Sequence, residues 1–165
     1  MIEEKLGKNN FLTVKPKNAM AAVMKEKART SSDKEEKSKL LAEAEKLGAD
    51  CLEILLASLG DYNPFTASIM GNMGVTYMKR GRNSEAEYLL TKSLAIKQKI
   101  LGENEAVALG HAHLAKLFFN MEDYGKAATH RENTSRIYMK VHGPAFSGHR
   151  TNYLELIKIY SKTGE

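Results

Sequence analysis

Between Met70 and Gly102 the apolar positions fall at helical spacing twice over. Met70, Met73, Gly74 and Tyr77 lie 3, 4 and 7 positions apart and share one helix face. Ala86, Leu89, Leu90, Ser93, Leu94 and Ile96 do the same for a second helix, with a tight turn at Gly81-Arg82 between the two. A helix pair this short cannot cover its own stripes, so it needs neighbours of the same kind.

Those neighbours are written along the chain. Leu59-Gly60, Leu101-Gly102 and His142-Gly143 recur at intervals of 42 and 41 residues. Tyr77, Phe118 and Tyr160 recur at 41 and 42, and Ala44, Ala86 and Ala127 at 42 and 41. Three independent markers keep one period, which defines an array of helix-turn-helix units. Residues 1–18 read as a linker or ragged domain edge. Residues 19–60 form a degenerate repeat, 61–102 and 103–143 two full repeats, and 144–165 a half repeat or cap helix. A final helix without a second one after it either caps the array or marks a fragment.

The spacing predicts the following elements. A helix runs over Ala19–Arg29 with Met20, Val23 and Met24 on one side. A second starts at Ser32, which has capping-box spacing to Glu35, and continues to Ser58 through Leu40, Leu41, Ala44, Leu47, Cys51, Leu52, Leu55 and Leu56. Gly60 suits the left-handed residue after a helix end. Asn63-Pro64 opens the next helix, which runs to about Arg80, because Asn caps well and Pro is tolerated in the first turn. Further helices are expected near 84–100, 105–121, 124–141 and 150–162, the last presenting Tyr153, Leu156, Ile157 and Tyr160 on one face.

Composition narrows the class. The chain has 165 residues, enough for one domain or a short solenoid. No apolar run approaches the roughly 18 residues that would span a bilayer, so membrane insertion is not expected. The start lacks the apolar segment of a secretory signal, and the single cysteine suggests a reducing compartment. The net charge of +5 does not mark a nucleic-acid binder. Residues 1–39 hold 10 Lys+Arg against 6 Asp+Glu, and residues 40–165 hold 15 against 14, so the repeats are nearly neutral. No basic stripe with interleaved aromatics appears.

The order small residue, Tyr, Gly, Ala-Glu, Leu-Ala-Ile and Leu-Gly resembles the tetratricopeptide repeat. The period near 42 with its Leu-Gly-acidic connector resembles the longer kinesin-light-chain form of that repeat. The resemblance covers about residues 38–165. It implies an all-α, right-handed superhelical solenoid whose first helices line a concave groove. Within the family, the likeness implies a substrate receptor of a cullin–RING ubiquitin ligase that reads C-terminal degrons, and an adaptor joining membrane-protein tails to microtubule transport. Cytoplasmic location follows, with cytoskeletal and nuclear association. A cargo adaptor of the kinesin-light-chain type and a purely structural array stay open beside these. Three residues depart from the pattern: Arg131 stands where Leu90 stood, Ile157 replaces Gly74 and Ala115, and Glu122 replaces Gly81.

Removing the buried stripe from each first helix leaves a second one. It comprises Ser68, Asn72, Val75 and Lys79, then Leu109, His113, Lys116 and Asn120, then Thr151, Glu155, Lys158 and Lys162. By the resemblance, Asn72 matches the asparagine that holds a ligand's backbone, with His113 and Glu155 in its place in the following repeats. The lysines favour an acidic segment or a free C-terminal carboxylate as ligand. Lysine is also the default exposed helix residue, so the same side chains fit an ordinary solvated face.

Catalysis finds little support. His111 and His113 are two apart and point to different sides of a helix. His130, His142 and His149 have no carboxylate or cysteine at ligand spacing, so no metal is expected. Cys51 occupies the small-residue slot of Ser93 and Thr134 and reads as an inert thiol. Gly71 and Gly74 sit inside a helix and make no phosphate loop. No cofactor is expected. Met70 and Met73 read as core, and with Met78 they could also adapt to apolar ligands.

Overall fold

The structure is a computed structural model that describes residues 10–163. Of the stretch read as a linker, residues 1–9 lie outside the described residues, as do Gly164 and Glu165. Seven α-helices follow one another, with no strand among the described residues: α1 (Val14–Thr30), α2 (Lys34–Leu59), α3 (Pro64–Lys79), α4 (Asn83–Leu101), α5 (Glu105–Asn120), α6 (Tyr124–His142) and α7 (Gly148–Thr163). The chain divides into two compact units within α4, the first ending at Leu89 and the second beginning at Leu90.

In the first unit α1 packs on α2 and α2 on α3. Helix α1 begins at Val14, five residues before the expected Ala19. Pro16 hides this start, but it falls in the first turn, where no intrahelical N–H is required. A short 3₁₀ turn, Phe11–Thr13, leads into it, capped by the Asn10 side chain accepting from the Leu12 N–H at 2.9 Å. The buried side of α1 is Val14, Lys17, Ala21 and Ala28, not the expected Met20–Val23 side, which is 51% and 55% exposed. Small side chains let α1 approach α2 closely. Lys17 is buried along its stem and reaches Asp50 at 3.5 Å. The cap of α2 is Asp33, accepting from the Glu35 N–H at 2.8 Å, rather than Ser32. The carboxylate reaches this first-turn donor and adds charge favourable at a helix N-terminus. Glu45 on α2 then holds Arg80 and Arg82, both at 2.6 Å, and pins the turn after α3.

In the second unit α5 packs on α6 and α6 on α7. Asn104 caps α5 and Asp123 caps α6 through their side chains. Glu103 binds both Arg136 and Lys140 of α6. Residues 142–148, expected to be a plain connector, have packing of their own. Phe146 stacks on His142 at 4.2 Å and meets Tyr138 edge-on at 5.2 Å. The approach leaves no room for a side chain at Gly148, where a Cβ would overlap the Phe146 ring.

Two of the three repeat markers land where the pattern places them, while at the aromatic one Phe118 is buried and Tyr77 and Tyr160 are half-buried. Ala44, Ala86 and Ala127 are all buried, as are Cys51, Ser93 and Thr134. Gly60, Gly102 and Gly143 each end a pair in the left-handed region, at φ 74°, 63° and 72°. Gly81 takes the same hand inside its pair at φ 76°, and Glu122 copies it at φ 62°. A side chain in that region costs energy that glycine avoids. Glu122→Gly is therefore expected to stabilise the second unit by about 1 kcal/mol, measured as a higher urea midpoint. An unchanged or lower midpoint would show that the turn carries no strain.

The last helix is oriented differently from the expectation. Its buried face is His149, Asn152, Leu156 and Ile159, while Tyr153 and Ile157 are 47% and 63% exposed. Asn152 explains the choice. It donates to the Arg131 carbonyl and Ser135 Oγ, and Arg131 Nη1 donates to its Oδ1 at 3.3 Å. The charge at Arg131, anomalous in a packed stripe, is met by this polar side chain on α7. Ile157 does not need to be small, because it is 63% exposed where Ala115 is buried.

Candidate functional site

The second stripe of the first helices is solvent-accessible in both units. On α3, Ser68 and Lys79 are exposed and Asn72 and Val75 half-buried. On α5, Leu109, Lys116 and Asn120 are exposed and His113 half-buried. On α7, Thr151, Lys158 and Lys162 are exposed and Glu155 half-buried. Periodicity placed these residues on α3 and α5 because the buried stripes there are regular.

In the first unit the stripe extends onto α1. Asn72 Nδ2 donates to Asn18 Oδ1 at 3.0 Å, which joins the polar sides of α1 and α3. Lys25 of α1 is half-buried, and its ammonium is held below the ordinary lysine range, first by desolvation and then by the neighbouring charge of Lys79. Glu26 also feels Lys79, but its carboxylate is held low chiefly by its hydrogen bond from Arg29. Lys25 and Lys79 each follow the amide pair by seven positions, about two helical turns, on the same two helices. Asn18 and Lys25 were missed from sequence because the turn after α1 breaks the repeat spacing. The only available hint was that residues 19–29 begin a degenerate repeat.

In the second unit the stripe is less uniform. Lys158 Nζ binds Glu155 Oε1 at 2.8 Å on the same helix, so the charge of Lys158 is offset there, while Lys162 carries the positive charge on. Leu109 leaves an apolar side chain 47% exposed next to the polar ones on α5.

A different surface is apolar. A cleft of about 350 Å³ in the first unit is lined by Leu52, Met73, Tyr77, Tyr88 and Leu89. It draws on the Met73–Tyr77 side of α3, not on the Ser68–Lys79 side. The Arg82 guanidinium lies over the Tyr77 ring, 4.3 Å from its centroid. Met70, Met73 and Met78 are buried, so Met78 is not an adaptable surface contact.

The groups that could do chemistry are occupied otherwise. Cys51 is fully buried, its thiol facing the Val14 carbonyl at 3.6 Å and pushed up to about 11 by desolvation. A thiol so protonated is a poor nucleophile. No group of three His, Cys, Asp or Glu among the described residues could hold a metal ion. Among the described residues, no helix is long and apolar enough to cross a membrane.

The comparisons with known proteins agree with this architecture. Residues 35–99 match the tetratricopeptide repeat family. The fold is an all-α helical-repeat solenoid shared with solved structures of that kind. BtubC (BKLC) from P. vanneervenii is 17% identical with a TM-score of 0.70, over 87% of this chain and 56% of that one. A Podosopora anserina protein described as a kinesin light chain, with nearly identical TPR-like repeats, is 18% identical with a TM-score of 0.74. A single-substitution variant of it is 19% identical with a TM-score of 0.73; both comparisons cover 88% of this chain and 66% of the other. This chain thus spans a little over half to about two thirds of those proteins. No curated protein matches it by sequence.

Proposed function

We propose that this chain is a noncatalytic recognition module that holds an acidic peptide segment of a partner protein on the polar sides of its first helices. The observation that carries the reading is the Asn18–Asn72 amide pair that joins α1 to α3, with Lys25 and Lys79 seven positions, about two helical turns, further along the same two helices. Asparagine offers a donor and an acceptor to a peptide backbone. The two ammonium groups, with the Glu26 carboxylate near Lys79, give this part of the stripe a lean towards acidic ligands. In the second unit, Lys116 of α5 offers the same chemistry by itself.

Two finer identities compete. The segments LLAEAEKLGADCLEILLASLGDYNPFTA and GPAFSGHRTNYLELIKIY resemble the C-terminal repeats of amyloid protein-binding protein 2. That likeness supports a cullin–RING substrate receptor reading a C-terminal carboxylate. The kinesin-light-chain-like neighbours support a cargo adaptor, for which an internal acidic segment would suffice. We favour the second, because solved structures of the kinesin-light-chain kind share the fold over 88% of this chain. Binding through the Leu52–Tyr88 cleft is the reading of a structural array.

The test is a screen of purified protein against acidic peptides, each with a free and an amidated C-terminus. Lys25→Glu and Asn72→Ala are each expected to weaken the best binder at least about tenfold, the loss of one charge-assisted or buried hydrogen bond. Lys116→Glu tests the second unit in the same way. Loss on amidation selects the degron reader, and retention selects the cargo adaptor. Binding that survives all three substitutions but is lost in Tyr88→Ala would move the site to the apolar cleft.

A further inference from the structure

The α5–α6 interface holds two histidines that the sequence keeps 19 residues apart. His111 of α5 is 7% exposed and His130 of α6 is half-buried. Their Nδ1 atoms lie 2.9 Å apart, a hydrogen-bond distance. One nitrogen must carry the hydrogen and the other must offer a lone pair, so the two rings are held in different tautomers. Two Nδ1–H groups cannot face each other there.

The surroundings favour neutral rings. Phe118 stacks on His130 with centroids 5.5 Å apart and planes 10° from parallel. From α4 the pair meets an amide, Gln98 Nε2, 3.5 Å from His111 Nε2. From α6 the charge that acts on His111 is Arg136, a cation. Another cation, Lys126, lies 4.9 Å from the centroid of the Phe118 ring. The Thr134 hydroxyl, between the His130 and Ala108 carbonyls, ties the same two helices together.

We propose that His111 and His130 form a proton-sensitive latch on the α5–α6 pair, closed while one ring keeps a bare Nδ1 to accept the shared hydrogen and opened once acid charges both rings. Burial sets the direction. His111 is pushed down to about 4, by desolvation first, then by His130 and Arg136, and His130 is lowered by desolvation. A base whose folded value is depressed stabilises the fold fully above its unfolded value. That stabilisation is lost as the pH falls from about 6.5 towards 4. Opening of the helix pair is expected to rise on the order of 100-fold between pH 7 and pH 4 through this pair. The latch stands apart from the peptide-binding reading and does not need it.

Nitrogen NMR of the imidazoles in the whole chain tests it. At pH 7 one of the two Nδ1 atoms should be protonated and the other bare, and both rings should charge below the ordinary histidine range, His111 near pH 4. His111→Gln, which keeps a neutral hydrogen-bonding side chain, should flatten the fall in melting temperature between pH 7 and 4.5. Should His111→Gln fail to fold, the titration of the unaltered protein decides alone. Both rings titrating near their ordinary value, or parallel losses of stability in the two proteins, would overturn the latch.

Discussion

Leu55→Ala should destabilise the chain by about 3 kcal/mol, the middle of the range for emptying a buried leucine site. Leu55 lies on α2, the helix that packs on both α1 and α3, and it is fully buried. Truncation removes its transfer free energy and leaves a cavity that two neighbouring helices cannot both close. Leu56 provides the control. It is the next residue on the same helix but is 41% exposed. Leu56→Ala should cost less than about 1 kcal/mol. Urea unfolding of both variants checks this, with the m-value compared to confirm a single transition. Equal losses would mean that α2 does not turn this face to its neighbours.

The second large effect is expected at Asn152. Asn152→Ala should cost about 2 kcal/mol, because it removes the acceptor for Arg131 Nη1 and the donor to Ser135 and the Arg131 carbonyl. Arg131 already buries an Nε without a hydrogen-bond partner, and burial holds its guanidinium below the ordinary arginine range. Taking away Asn152 leaves this buried charge worse satisfied, which costs more than the mean hydrogen bond. The double variant Arg131→Leu with Asn152→Leu should recover most of the loss, because apolar pairs often replace partly satisfied buried charges without penalty. Leucine is also what the preceding repeat carries, at Leu90. Thermal unfolding of the single and double variants checks the pair, and a double variant no better than Asn152→Ala would show that the polar contact itself is indispensable.

The repeat was legible because each pair is built by the same local chemistry. Helical spacing, Asn and Asp caps and glycines of positive φ are all short-range devices, and they recur at Gly60, Gly102 and Gly143. The regular part of the candidate site, Ser68 to Lys79 and Leu109 to Asn120, came from the same source: once the buried stripe is assigned, the remaining face follows. Where a partner helix decides which face is buried, the reading failed. Met20 and Val23 are more apolar than Lys17 and Ala28, yet α1 turns the latter pair to α2, because small side chains and a stem ending at Asp50 pack more closely. Tyr153 and Ile157 are more apolar than Asn152, yet Asn152 is buried because Arg131 waits opposite.

By itself, then, the sequence determined the number and order of the helices, the approximate extent of all but α1, and the period at which they return, since these depend on residues within a turn or two of one another. Only the tertiary structure decided which residues meet across helices: Asn18 with Asn72, Arg131 with Asn152, and His111 with His130. Such pairs are separated by 54, 21 and 19 positions. No local rule records that spacing, because it is set by how closely two helices approach and by what each must satisfy when water is gone.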